Sequence, residues 1–222
     1  MSHRSGAAAG STSGVRWPHA AGAGTRGSKP GRRIDWPSTL AAKRREPLAR
    51  AHVRFRREAP KGGVLHCFVL DCSGSMMSGQ QLALAKGLLV AMFDQASTAR
   101  AETALVCFGG ARADVRFGPA VPRWWNERWL QPVGGGGGTP LALGVSRAAH
   151  VLERAARGKP AQQRWLWLLS DGRSSDLPAR PAFADQVVCV DFERGAVRLG
   201  RCEQIARAWN ALCCTPEDLI AS

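Results

Sequence analysis

Residues Val64 to Ser75 read VLHCFVLDCSGS, an apolar run that stops at an aspartate and is followed by serines at alternate positions. Gly62 and Gly63 precede the run, and Gly74 and Gly79 follow it. A short, continuous apolar run between glycines predicts a strand buried on both faces, which is the habit of parallel sheets. In such sheets ligands gather outside the carboxyl ends of the strands, where connecting loops converge. Asp71 stands at that end, so the remaining sequence is read for elements that complete a parallel sheet and for donors that join Asp71.

The chain has 222 residues, 45% of them hydrophobic, enough to bury the core of one domain. Its net charge of +14 is unevenly spread: residues 1 to 57 hold 13 Lys and Arg against only Asp35 and Glu46, leaving +3 for the remainder. Residues 1–34, rich in Gly, Ala, Ser and Arg, contain too little apolar surface to offset ordering entropy and predict a disordered basic tail. Residues 35–60 predict a short helical turn that Ser38 can cap, then an extra edge strand in AHVRFR, and residues 61–222 predict the main domain. No apolar stretch has the h-region of a secretory signal or the roughly 20 residues of a membrane span, so the expectation is a cytoplasmic chain. An Arg-rich, acid-poor leader is also the composition of an organellar transit peptide. Seven cysteines form no CxxC or zinc-spaced cluster. Cys67, Cys107 and Cys189 fall inside predicted strands as small hydrophobes, and Cys213 and Cys214 read as structural thiols with redox activity as the alternative.

Downstream of Asp71, QLALAKGLLVAMFDQA places Leu82, Leu84, Ala85, Leu88, Leu89, Met92 and Phe93 for a largely buried helix, with Ser78 as its N-cap and Gly87 as a close-packing point on the sheet. TALVCF predicts a second buried strand, and ADVRF after Gly109-Gly110 predicts a half-exposed hairpin partner through Val115 and Phe117. Trp124, Trp125, Trp129 and Leu130 share part of a helical face that Pro132 ends, and the tryptophans read as core or interface, with base stacking as the alternative. Gly134 to Gly138 lead into Thr139-Pro140 and an amphipathic helix, with Pro140 in its first turn. RWLWLLSDGR repeats the opening pattern, an apolar run stopped by Asp171. QVVCVDF predicts a last buried strand and EQIARAWNAL a closing helix. Alternating strands and helices predict a doubly wound α/β three-layer sandwich with a mainly parallel sheet and one antiparallel edge strand.

Asp71, Ser73 and Ser75 spell D-x-S-x-S, and alternate positions in an extended turn can aim three oxygens at one point. Thr139 arrives on a glycine loop whose backbone can approach closely, and Asp171 brings a second carboxylate from another strand end. Hard oxygen donors in a small set, with water filling the rest, suit Mg2+, or Mn2+ as the other hard divalent ion. Each piece alone is an ordinary turn composition; the three in this order, each at a strand end or opening a helix, point to a metal site. Other chemistries fit less well. The glycine run lacks the G-K-[ST] of a phosphate loop, no G-x-S-x-G elbow surrounds Ser75, and the five histidines form no HExxH motif. His66, mid-strand, reads as a satisfied core residue, and Asp191 as a structural turn with an outer role at the site as the alternative.

These motifs resemble a von Willebrand factor A (VWA) domain and its metal-ion-dependent adhesion site (MIDAS), over roughly residues 60 to 215. The resemblance implies that Asp71, Ser73, Ser75, Thr139 and Asp171 hold the ion. The spelling DCSGSM with AKGLL, then GGGGTPL with Gly144, then LLSDGR, looks most like the A domain at the C-terminal end of the magnesium chelatase D subunit and related cobalt-chelatase proteins. That likeness implies a non-catalytic subunit, with no catalytic residues or organic cofactor of its own, docking through a partner's acidic side chain. The implied partners are an AAA+ ATPase chelatase subunit and a large tetrapyrrole-binding subunit that inserts magnesium or cobalt, as in chlorophyll or cobalamin biosynthesis. The chain departs from the D subunit in carrying a basic tail where that subunit has an AAA+-like domain and an acidic, proline-rich linker. The alternative is a module that binds nucleic acid or another partner through the basic tail, although the nearly balanced charge of the main domain argues against nucleic acid.

Overall fold

The structure is a computed structural model, and it describes residues 39, 49–53, 62–78, 80–123, 139–194 and 198–220. Strands β1 (Val64–Asp71), β2 (Glu102–Gly109), β3 (Arg112–Ala120), β4 (Gln163–Ser170), β5 (Gln186–Asp191) and β6 (Leu212–Cys214) form one sheet in the order β3-β2-β1-β4-β5-β6. Only the β2–β3 pairing is antiparallel. The predicted α/β sandwich with one antiparallel edge is the observed fold.

Both faces of the central strands are buried because both carry apolar side chains. In β1, Leu65, Cys67 and Val69 point to one face and Phe68 and Leu70 to the other. The first face packs on Val145, Ala148 and Leu152 of helix α3 (Leu141–Gly158), and on Ile205 and Trp209 of helix α4 (Arg201–Trp209). The second packs on Leu88, Leu89, Met92 and Phe93 of helix α2 (Gln81–Thr98), and on Leu219 of the short helix α5 (Pro216–Leu219). His66 is held inside the strand by the Trp167 indole N–H, which donates to its Nδ1 at 3.2 Å. Burial lowers its pKa from 6.5 to about 3, so it is a neutral core residue, as its mid-strand position predicts.

Several local expectations change. Ser78 does not cap the long helix: it ends a separate short helix α1 (Gly74–Ser78), and α2 begins after Gln80, whose φ of 60° makes a left-handed corner. Gly87 is exposed, and a Cβ there would meet nothing within 4 Å, so it is no packing point. The close-packing glycine is Gly144 in α3, where a Cβ would lie 2.6 Å from Phe108 Cδ1. Pro140 takes the N-cap position of α3, one residue before its first turn. Ala51 and His52, the start of the expected extra edge strand, lie in a 3-10 turn over Arg50–His52. Val53 caps that turn with extended backbone and lies in none of the described strands of the sheet. Arg54 to Arg56, the predicted turn near Ser38 apart from Thr39, the tryptophans 124, 125 and 129 and the glycines 134 to 138 lie outside the described residues. The closing helix stops at Trp209, because Asn210 turns left-handed (φ 48°) and sends Leu212–Cys214 back beside β5.

All seven cysteines are free. Cys213 is exposed and Cys214 half-buried, and partial burial pushes their thiols up to about 11 and about 12. No helix among the described residues is long and apolar enough to cross a membrane.

Candidate metal centre

The β1 and β4 strands run parallel as neighbours at the point where the winding of the sheet reverses. Their carboxyl ends therefore place Asp71 and Asp171 at one crevice, the location where doubly wound folds bind ligands. Asp71 is fully buried. Its Oδ1 accepts the Ser73 N–H at 2.8 Å, and its Oδ2 accepts the Ser170 hydroxyl at 2.6 Å. Ser170 Oγ in turn accepts the Gly172 N–H at 3.0 Å, so one hydroxyl ties the two aspartate turns together. Burial raises the Asp71 pKa and the nearby Asp171 charge adds to that, while the bonds from Ser170 and Ser73 work against it.

Ser73, 3% exposed, and Ser75, in the first turn of α1, bring their Oγ atoms to 3.1 Å of one another. Thr139 reaches this edge just before α3, where its carbonyl accepts the Ser174 hydroxyl at 2.9 Å. Ser174 follows Asp171 by three residues, so the β4 turn holds the Thr139 segment. A further tie runs from the Ala142 N–H to Asp176 Oδ2 at 3.2 Å. Gly172 turns the chain after Asp171 with φ of 71°, a left-handed conformation in which a side chain is strained. All five sequence-predicted residues thus belong to segments that converge on the same crevice.

Asp171 differs from Asp71 in one respect. Its Oδ1 accepts the Arg173 N–H at 3.1 Å, but its buried Oδ2 has no hydrogen-bond donor. Among the described residues the nearest cation is Arg173 Nε, at an ion-pair distance of 3.8 Å from that oxygen, on a side chain that is 54% exposed. A buried carboxylate oxygen left without a donor is costly unless a cation completes it. Among the described residues no three His, Cys, Asp or Glu side chains cluster to cage a cation, so a resident ion would rely on two carboxylates plus hydroxyls. That donor set fits a hard divalent ion such as Mg2+, which retains waters and takes few carboxylates.

Two contributors escape a motif reading. Ser170 was hidden as the last letter of an apolar run; a hydroxyl ending a buried strand directly before an aspartate is the signal. Ser174 is visible only through its contact with Thr139. Asp191, at the end of β5, instead makes a local turn: its Oδ1 accepts the Glu193 N–H at 2.8 Å and Arg198 lies 3.4 Å from Oδ2.

Residues 67–173 match the family model of the von Willebrand factor type A domain. The chain carries a von Willebrand factor A domain. Over 169 residues the chain is 31% identical to an uncharacterized protein of Mycobacterium tuberculosis, covering 71% of this chain and 27% of that protein. It is 34% identical over 125 residues to the magnesium-chelatase 60 kDa subunit of Rhodobacter capsulatus, covering 56% of this chain and 21% of that subunit. It is 29% identical over 128 residues to the magnesium-chelatase 67 kDa subunit of Chlorobaculum tepidum, covering 58% and 20%. The A domain is thus related to magnesium-chelatase subunits, and the chain spans less than a third of the length of these relatives. The A-domain match takes in Asp71 and Asp171, both turns of the crevice, together with Thr139.

Proposed function

We propose that this A domain is a non-catalytic, Mg2+-dependent interaction subunit of a chelatase-type complex, working beside an AAA+ ATPase in metal insertion into a tetrapyrrole. The observation that carries the metal-dependent part is the bare, buried Oδ2 of Asp171 beside the hydrogen-bonded Asp71 carboxylate. In this reading Asp71, Ser73, Ser75, Thr139 and Asp171 hold Mg2+ or Mn2+ directly or through water. The bound ion supplies a Lewis-acidic position for a carboxylate of the partner. The chain's own residues do the rest: Ser170 and the Ser73 N–H fix Asp71, Gly172 and the Arg173 N–H aim Asp171, and Ser174 keeps the Thr139 segment in place. The ion is a recognition element of the subunit, distinct from the metal that the complex inserts. The relation of the A domain to magnesium-chelatase subunits supports an accessory role. Likeness to magnesium-chelatase subunits supports the choice of complex.

The test is a pull-down of the cognate AAA+ chelatase ATPase by tagged full-length chain. Capture in Mg2+ is expected to fall to background with EDTA or with Asp71→Ala. Capture undiminished by both contradicts the metal-dependent reading.

A further inference from the structure

Beside the crevice runs a groove of about 410 Å3 lined by Gly172, Arg173, Ser174, Ser175, Leu199 and Arg201, open to solvent and continuous with the Asp171 turn. Its frame is made by Arg201, whose guanidinium donates to the Ser174 and Ser175 carbonyls at 3.0 to 3.2 Å and to Gln204 at 2.9 Å. The acidic groups nearby are already engaged. Glu193 accepts the Leu199 and Gly200 N–H groups, Asp191 is paired with Arg198, and Asp176 accepts the Ala142 N–H. Arg173 therefore presents a half-exposed cation whose nearest counter-charge is the buried Asp171, and Leu199, 53% exposed, offers an apolar wall. Leu177 (58% exposed) lies in the segment that follows the groove, and Leu143 (49%) in the first turn of α3. Of these leucines it is Leu199 that lines the groove, beside Arg173.

We propose that this groove is the specificity subsite of the docking face, taking a partner segment with two acidic residues flanking or adjoining an apolar one. One carboxylate goes to the ion; the second pairs with Arg173, and the apolar residue packs on Leu199. The inference rests on the metal-dependent reading of the crevice. Charge complementarity and the apolar wall together select an acidic protein segment; a phosphate backbone would use Arg173 but gain nothing from Leu199. Arg173 has opposite effects on the two ligands. Its charge opposes a cation at Asp171 and attracts an anion in the groove, so its removal leaves Mg2+ binding equal or tighter while weakening the partner.

The experiment uses the full chain, Arg173→Gln and Leu199→Ser, each immobilised in Mg2+ and panned against phage-displayed random dodecapeptides. Mg2+ affinity is read separately by thermal unfolding, and a labelled dT20 oligonucleotide is the nucleic-acid probe. The parent chain is expected to enrich peptides with two acidic residues within about four positions around an apolar one. The best peptide is expected to bind Arg173→Gln about three- to fivefold more weakly, the upper range of an exposed ion pair, and Leu199→Ser at least about threefold more weakly through lost apolar burial. Arg173→Gln keeps the backbone N–H that Asp171 Oδ1 accepts and removes only the side-chain charge, so it is expected to bind Mg2+ at least as tightly as the parent. No enrichment, enrichment of singly acidic peptides by the parent chain, or affinities within twofold in both variants overturns the subsite. Binding of dT20 that Arg173→Gln abolishes and Leu199→Ser spares also overturns it, reassigning the groove to phosphate. If paired-acid peptides are enriched and sensitive to Arg173→Gln although Mg2+ never shifts unfolding, the metal reading fails and the groove stands.

Discussion

Three strands of the sheet, β1, β4 and β5, each run into an aspartate at the carboxyl edge, and the three turns are alike in their first bond. Asp71, Asp171 and Asp191 each use Oδ1 to accept the N–H two residues on, at 2.8, 3.1 and 2.8 Å. They differ at the second oxygen. Asp71 has the Ser170 hydroxyl, Asp191 has the Arg198 guanidinium at 3.4 Å, and Asp171 has no donor. The surroundings differ too: hydroxyls follow Asp71, whereas Phe192 and Glu193 follow Asp191. An apolar run stopped by aspartate is therefore a way to close a strand with an Asx turn. Only the adjoining pair at β1 and β4, with one oxygen unfinished, has the makings of a cation site.

This contrast can be broken by making Asp71 resemble Asp171. Ser170→Ala removes the donor to Asp71 Oδ2 and the acceptor of the Gly172 N–H, leaving two buried groups unpaired at about 1–3 kcal/mol each. A loss of about 3 kcal/mol in metal-free denaturant unfolding is expected; a change below about 0.5 kcal/mol would show that Ser170 does not join the turns.

His66 offers a buried polar group in the same strand as Asp71 but with its partner in place. Its pKa is lowered to about 3, so the unfolded chain takes up a proton near pH 6.5 that the folded chain refuses. The contribution is complete above pH 6.5 and lost as pH falls toward 3, at up to about 1.4 kcal/mol per pH unit. Between pH 6.5 and 4.5 the parent chain should lose about 2 kcal/mol more than His66→Gln. Parallel pH profiles for the two proteins would contradict a neutral, structural His66.

The β5 end should behave as structure alone. Glu193 holds the Leu199 and Gly200 N–H groups at 2.6 and 3.0 Å ahead of α4. Glu193→Gln puts an amide N–H where an acceptor is needed and should cost about 1–2 kcal/mol, with the unfolding response to Mg2+ unchanged. A lost response would tie the β5 end to the site.

The order of β1 to β5 and of the long helices was legible because buried parallel strands are written as bare apolar runs, and the candidate donors stood out in sequence because Asp71 and Asp171 interrupt two of those runs. Packing details were not. The sequence around Gly87 and Gly144 reads alike, and only the position of Phe108 decides which glycine the sheet presses on. Ser78 is a good cap by composition, but the chain breaks into two helices at Gln80. The strand over Leu212–Cys214 is three residues long and borrows its order from β5, so it has no periodicity to detect. Ser170 and Ser174 act through partners distant in sequence, which no local motif encodes.

Thermal unfolding in Mg2+ against EDTA, for the parent chain, Asp171→Asn and Asp191→Asn, reads whether the β1 and β4 ends together hold a divalent cation. A ligand at 100 times its dissociation constant stabilises by about 2.7 kcal/mol, a rise of about 5–10 °C for a chain of this size. The parent and Asp191→Asn should show that rise and Asp171→Asn should not. An unshifted parent, or a full shift in Asp171→Asn, would mean that these two strand ends do not hold the ion.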